Sequence, residues 1–128
     1  MGQLMSFKIN QILHSSLIVK NTTVSLHFYH DILGLAIDES RPQLNFTGAW
    51  LQVGAQQIHL LELPNPDPVN NRPQHGGRDR HTALAVDDIE ALQQKLHDHN
   101  IEFSRSQSGR RALFVRDPDG NALEFIEQ

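Results

Sequence analysis

Hydrophobic and polar positions along the chain change period in an order that occurs twice. Residues 11–19, QILHSSLIV, alternate and predict a strand, followed by helical spacing over 22–33 for which Asn21 or Thr22 supplies the capping oxygen. Three strands are expected next, at 35–40 (LAIDES), 45–53 (NFTGAWLQV) and 56–63 (QQIHLLEL), the last two joined at Gly54-Ala55. After residues 64–79 the order returns, with a strand at 80–86 (RHTALAV) and then a helix reaching about His99. Asp87 and Glu90 form a capping box for that helix, with Ile89, Leu92 and Leu96 on one face. Strands IEFSRS, RRALFVR and NALEFIE follow, and Asp117-Pro118-Asp119-Gly120 makes the turn between the last two. The prediction is one α+β domain over 1–128, built of two tandem βαβββ modules at about 11–63 and 80–127 with a proline-rich connection between them.

Laying one module on the other matches LHSSLIV with RHTALAV and QIHLLEL with ALEFIEQ, so His14 falls on His81 and His59 on Glu124. The separations agree: 45 residues from His14 to His59 and 43 from His81 to Glu124. Strand parity puts His14 on a face with Ile12, Ser16 and Ile18, and His81 on one with Ala83 and Ala85. Those small neighbours predict a cavity wall. The opposite face, with Leu13, Leu17 and Val19 and with Thr82, Leu84 and Val86, suits packing under the helices. A lone histidine on a strand is usually a hydrogen-bonded core residue; four donor-type side chains at repeat-related positions point instead to a metal.

These motifs resemble the vicinal oxygen chelate superfamily, which includes glyoxalase I, fosfomycin-resistance thiol transferases, methylmalonyl-CoA epimerase, ring-cleaving dioxygenases and bleomycin-resistance proteins. The resemblance runs over roughly residues 11 to 127 and is most specific at LHFYHDILGL, RHTALAVDDI and RDPDGNALEF. It implies curved mixed sheets around a metal-binding cavity, with His14, His59, His81 and Glu124 at the ligand positions. Many such glyoxalases carry glutamate where this chain has His59, which leaves open whether His59 is a ligand or an acid–base group. The resemblance also implies a homodimer with metal sites shared between chains, although closure within one chain is equally compatible with the sequence.

Three imidazoles and one carboxylate suit Zn²⁺, Ni²⁺, Fe²⁺ or Mn²⁺ better than Ca²⁺. On a six-coordinate ion they leave two positions for substrate oxygens; on a tetrahedral zinc they close the site. The resulting expectation is a metal-dependent glyoxalase-like lyase or isomerase acting on a small oxygen-chelating substrate through a metal-stabilised enediolate, with Glu124 or His59 moving the proton. Two alternatives stand beside it. One is an Fe²⁺ ring-cleaving dioxygenase using His14, His81 and Glu124, with His59 as acid–base group. The other is a non-catalytic ligand-sequestering protein.

Charge and composition narrow the partners. A net charge of −4 disfavours a nucleic-acid partner, and no apolar run is long enough to span a bilayer, so a cytoplasmic protein is expected. With no cysteine, thiolate ligands are excluded. The start MGQLMS fits a loose myristoylation pattern through Gly2 and Ser6, but an irregular leader before Met5 is the simpler expectation.

Arginines at 72, 78, 80, 105, 110, 111 and 116 crowd the second half. Arg78 and Arg80, beside His81, are the candidates for an anionic substrate group. Trp50 is a candidate for the cavity wall, with core filling the commoner role; Phe114 and Phe125 share that ambiguity. Four of the six prolines and the pair Gly76-Gly77 lie in 64–79, a length typical of lids and binding loops, which also carries His75. His27, His30, His97 and His99 read as solvent-facing helix residues.

Overall fold

The computed structural model describes residues 4–128, so Gly2 of the myristoylation pattern lies outside the described residues. Strand β1 (His14–Val19) leads into α1 (Thr22–Leu26), which continues as a wider π-helical turn (His27–Ile32). Strands β2 (Ala36–Ile37), β3 (Gly48–Val53) and β4 (Gln56–Glu62) complete the first module. The second holds β5 (His81–Val86), α2 (Ile89–Asp98), β6 (Phe103–Arg105), β7 (Ala112–Arg116) and β8 (Ala122–Glu127). Each module forms a mixed four-stranded sheet, ordered β1–β4–β3–β2 and β5–β8–β7–β6, with its first and last strands parallel. The α+β duplication is therefore observed.

Helix starts follow the same plan in both modules. Asn21 accepts from the Val24 N–H at 3.1 Å, and Glu62 of β4 accepts from the Thr22 N–H at 2.8 Å. In the second module Asp88 accepts from the Ala91 N–H at 3.0 Å and Glu127 of β8 from the Ile89 N–H at 2.9 Å. Two orphan amides of each helix are thus satisfied, one by the cap and one by the neighbouring strand. The expected Asp87 cap is corrected by one residue. With Asp88 as cap, fully buried Ile89 becomes the first helical residue and its amide meets Glu127.

The predicted faces hold in most places. Val19, Leu51, Ile58 and Leu60 pack with Leu84, Leu113, Leu123 and Phe125 in one core cluster that spans both modules. Leu13 departs from the expectation. It is exposed because β1 starts at His14 rather than residue 11, and Leu4, Met5, Phe7, Ile9, Ile12 and Leu13 form an extended, exposed apolar arm. Strand β3 begins at Gly48, where the strands approach so closely that a Cβ would lie 2.1 Å from the Leu60 carbonyl oxygen and only glycine fits. Strand β2 ends at Ile37, where Asp38 instead turns to bond the Ser40 amide at 2.9 Å.

Repeat-related residues meet where the modules join. Ser15 Oγ and Thr82 Oγ1 are 3.1 Å apart, and the Asn121 amide donates to the Ile18 carbonyl at 3.1 Å. Buried Asp117 accepts from Tyr29 Oη at 2.7 Å, from the Asn121 side chain at 2.9 Å, and from the amides of Asp119 and Asn121. Burial, then the charge of Asp117, pushes the Tyr29 hydroxyl well above its usual pKa, so it remains a donor. Tyr29→Phe should destabilise the fold by about 1.5–3 kcal/mol, the worth of a hydrogen bond to a charged group. Urea unfolding of the two proteins measures this, and an unchanged midpoint would remove the bond from the account.

Candidate metal and substrate site

The four predicted donors stand on the sheet faces opposite the core, as two pairs. In the first module the His14 and His59 rings stack at 3.9 Å between centroids, 16° from parallel. Trp50, opposite His59 on β3, stacks on the ring's other neighbour position at 4.3 Å and 6°. The tryptophan therefore belongs to the site face, against the commoner expectation of core. In the second module His81 Nε2 lies 3.4 Å from Oε1 of Glu124, a carboxyl group only 4% exposed. Phe114, opposite Glu124 on β7, meets His81 edge-on at 5.7 Å. Phe125 points to the core. No three histidines or acids among the described residues converge on a common point, so one chain alone does not gather all four donors.

Hydrogen-bond partners fix which ring nitrogen His81 and His59 present. His81 Nδ1 lies 2.9 Å from the Asp79 carbonyl oxygen, which can only accept, so the proton is on Nδ1. Nε2 then faces a carboxylate oxygen at 3.4 Å. Two acceptors at that distance require a proton or a cation between them, which is the condition a metal ligand pair meets.

His59 is held the opposite way. Asp38 accepts from Gln57 Nε2 at 2.7 Å, which leaves Gln57 Oε1 to accept from His59 Nε2 at 2.8 Å. The free lone pair of His59 is therefore on Nδ1. Partial burial first, then His14 and Arg41, lowers the pKa of His59 below its ordinary value and keeps the ring neutral. Asp38 is lowered mainly by its bonds from Ser40.

Most of the crowded arginines are committed to carboxylates. Arg72 grips Asp79 through two bonds of 2.6 and 3.0 Å, and Arg116 adds a third at 2.8 Å. This clamp ties the proline-rich connection to β7. Arg110 donates to Glu124 Oε2 at 2.9 Å, leaving Oε1 to His81. Arg111 pairs with Glu90 and Glu127, and Arg105 faces Glu90 at 4.0 Å. Arg80 pairs with Asp67 at 3.0 Å on the rim of a cleft of about 370 Å³, which is also lined by Ser16, Arg72, His81 and Asn121. Arg78 is exposed and has no ion pair among the described residues.

Gln57, Asp38 and Arg110 were not foreseen. Parity signals Gln57, which shares a strand face with His59 two residues on; Arg110 sits in a loop and left no periodic signal. His27, His30, His97 and His99 are exposed, as expected. A larger cleft, about 850 Å³ near Lys20, Glu62 and Asp119, holds none of the four donors.

The chain is similar to known proteins over nearly its whole length. The profile of the Glyoxalase/Bleomycin resistance protein/Dioxygenase superfamily matches residues 8–125. The chain is 31% identical to Glyoxylase I 4 of Arabidopsis thaliana, over 88% of this chain and 67% of that protein. It is 32% identical to a lactoylglutathione lyase of Haemophilus influenzae, over 91% and 92%. A crystal structure of a putative glyoxalase family protein from Bacillus anthracis superposes with a TM-score of 0.77 at 24% identity, covering 97% of this chain and 99% of that one. Among the described residues no helix is long and apolar enough to cross a membrane.

Arg72 first, then Arg116, holds the Asp79 carboxyl far below the usual carboxylate range. A folded pKa below the unfolded value of about 3.9 gives stabilisation that is complete above that pH and lost progressively as pH falls from it toward the folded value. Thermal unfolding between about pH 2 and 5 should show a shallower acid slope for Asp79→Asn than for the parent; equal slopes would deny the clamp this role.

Proposed function

The chain belongs to the Glyoxalase/Bleomycin resistance protein/Dioxygenase superfamily, and from that premise we propose that it is a metal-dependent lyase or isomerase acting on a small substrate with two neighbouring oxygens. The observation that carries this reading is His81 Nε2 facing Glu124 Oε1 at 3.4 Å while Nδ1 is committed to the Asp79 carbonyl. His81, Glu124 and His14 would hold Zn²⁺, Ni²⁺, Fe²⁺ or Mn²⁺, with His59 offering Nδ1. These donors fit such an ion because His81 Nε2 and Glu124 Oε1 face one another with Nδ1 of His81 committed elsewhere, and His59 keeps Nδ1 clear of hydrogen bonds among the described residues.

A bound ion of this kind supplies Lewis-acid polarisation of the two oxygens, which lowers the cost of the negative charge left by proton removal. The chain's own groups do the rest. His59, held through Gln57 and Asp38, would take the proton at Nδ1 where it stays off the ion, and Glu124 would take it where His59 is a ligand. Trp50 covers one side of that ring. Glu124 is restrained by Arg110 at its second oxygen, so its first keeps one direction. Arg78 and Arg80 stand on the approach to His81 as attractors for an anionic substrate group.

A second copy of the chain would bring one protomer's His14 and His59 to its partner's acid-bearing pair. Two observations support this homodimer. The four donors do not converge within one chain, and the arm that runs into His14 exposes Phe7 and Ile9 to 86% and 89%.

One observation favours a second reading. Because Gln57 occupies His59 Nε2, the remaining donors make a two-histidine, one-carboxylate set of the kind used by Fe²⁺ oxygenases, with His59 as acid–base group. Oxygen uptake with Fe²⁺ and a catechol, abolished in His59→Ala while iron is retained, would select it.

For the primary reading, turnover of the methylglyoxal hemithioacetal should appear with at least one of Zn²⁺, Ni²⁺, Co²⁺ or Mn²⁺; none with any metal discards the glyoxalase version. Glu124→Gln and His81→Ala should each weaken metal binding in calorimetry by more than about 100-fold, beyond what losing an outer-shell partner costs. Light scattering should give the mass of two chains, and the double variant Phe7→Asp, Ile9→Asp should shift it toward one. A monomeric parent that binds metal normally would overturn the shared-site arrangement.

A further inference from the structure

His75 belongs to none of the ligand pairs, yet the connection delivers it to their edge. Its ring lies on Phe114 at 4.7 Å between centroids, and the same Phe114 ring meets His81 at 5.7 Å. Phe114 is opposite Glu124 in the β7–β8 register, so His75 flanks the His81–Glu124 pair across a single aromatic ring.

The turn that places it is tightly packed at Gly77. A Cβ on Gly77 would stand 3.0 Å from His75 Cε1 and Nδ1 and from Phe114 Cζ, while one on Gly76 would meet Ala122 and Phe114 at the contact distances of 3.4 and 3.5 Å. The clamp of Arg72 and Arg116 on Asp79 fixes the end of the same segment.

The protonation of the ring follows from its one hydrogen bond. The Gly77 N–H donates to His75 Nδ1 at 3.0 Å, so Nδ1 carries the lone pair and the proton is on Nε2. Capping this turn uses only Nδ1. The Nε2–H has no partner among the described hydrogen bonds, and the ring is only half-buried.

We propose that His75 is a substrate-positioning residue, a neutral imidazole whose Nε2–H donates to an outward oxygen of the ligand held beside His81 and Glu124. This rests on the metal reading above and adds a class of ligand to it. The compounds favoured carry two vicinal oxygens for the ion and a further oxygen, of a carboxylate or hydroxyl, to accept from His75.

The test uses the full chain loaded with Co²⁺, whose visible absorption reports ligand binding, and two probes. Oxalate chelates through two oxygens and keeps two more as acceptors; acetohydroxamate spends both of its oxygens on the ion. His75→Ala should weaken oxalate about tenfold, the worth of one hydrogen bond, and leave acetohydroxamate and Co²⁺ affinity unchanged. His75→Gln, which keeps an N–H donor, should recover part of the loss. The ¹⁵N shifts of His75 in the metal-free protein should report the Nε2–H tautomer.

Equal behaviour of the two probes in His75→Ala would overturn the proposal, as would the other tautomer. A fall in Co²⁺ affinity matching that of His81→Ala would overturn it too, by making His75 a ligand. Failure of the parent protein to bind Co²⁺ is seen before any variant is made, and it refutes the metal reading together with this one.

Discussion

Parallel pairing of the first strand with the last in each module is the constraint on which the rest of the structure depends. It sets Ser16 beside His59 and Ala83 beside Glu124, so donors more than forty residues apart in sequence share one sheet face. The same pairing carries Glu62 and Glu127 to the first amides of the two helices. A slip of one residue would turn every donor into the core and every core residue outward. Core packing and site geometry are thus two faces of one register.

Backbone and amide partners then differentiate two modules that began as copies. An aromatic residue stands opposite the donor in each, Trp50 against His59 and Phe114 against Glu124. The hydrogen bonds around them differ. A main-chain carbonyl takes the Nδ1 proton of His81, whereas a side-chain relay from Asp38 through Gln57 takes the Nε2 proton of His59. The two modules thus hold their histidines by opposite ring nitrogens, at positions the repeat does not equate, since His59 matches Glu124 and His81 matches His14.

Charge pairing explains why so arginine-rich a second half is not a single basic patch. Arg72, Arg110, Arg111 and Arg116 each meet a carboxylate within 3 Å. Two of them act on the site indirectly: the Asp79 clamp fixes the segment that carries His75, and Arg110 restrains one oxygen of Glu124. Arg80 and Arg78 keep more exposure on the approach to His81.

Local pattern was enough to determine the duplicated βαβββ order, the faces of β1, β4, β5 and β8, and the equivalence of His14 with His81 and His59 with Glu124, because a period of two and an internal repeat are written directly in residue spacing. It was not enough for the start of β1 or the cap of α2, where the choice between Asp87 and Asp88 depends on a glutamate from the far end of β8. The side taken by Trp50, the partner of Arg110 and, through Asp38, the protonated nitrogen of His59 were likewise decided only by tertiary structure. Each of these depends on a hydrogen bond or ring contact with another strand or loop, and no periodicity along one segment records which neighbour it will meet.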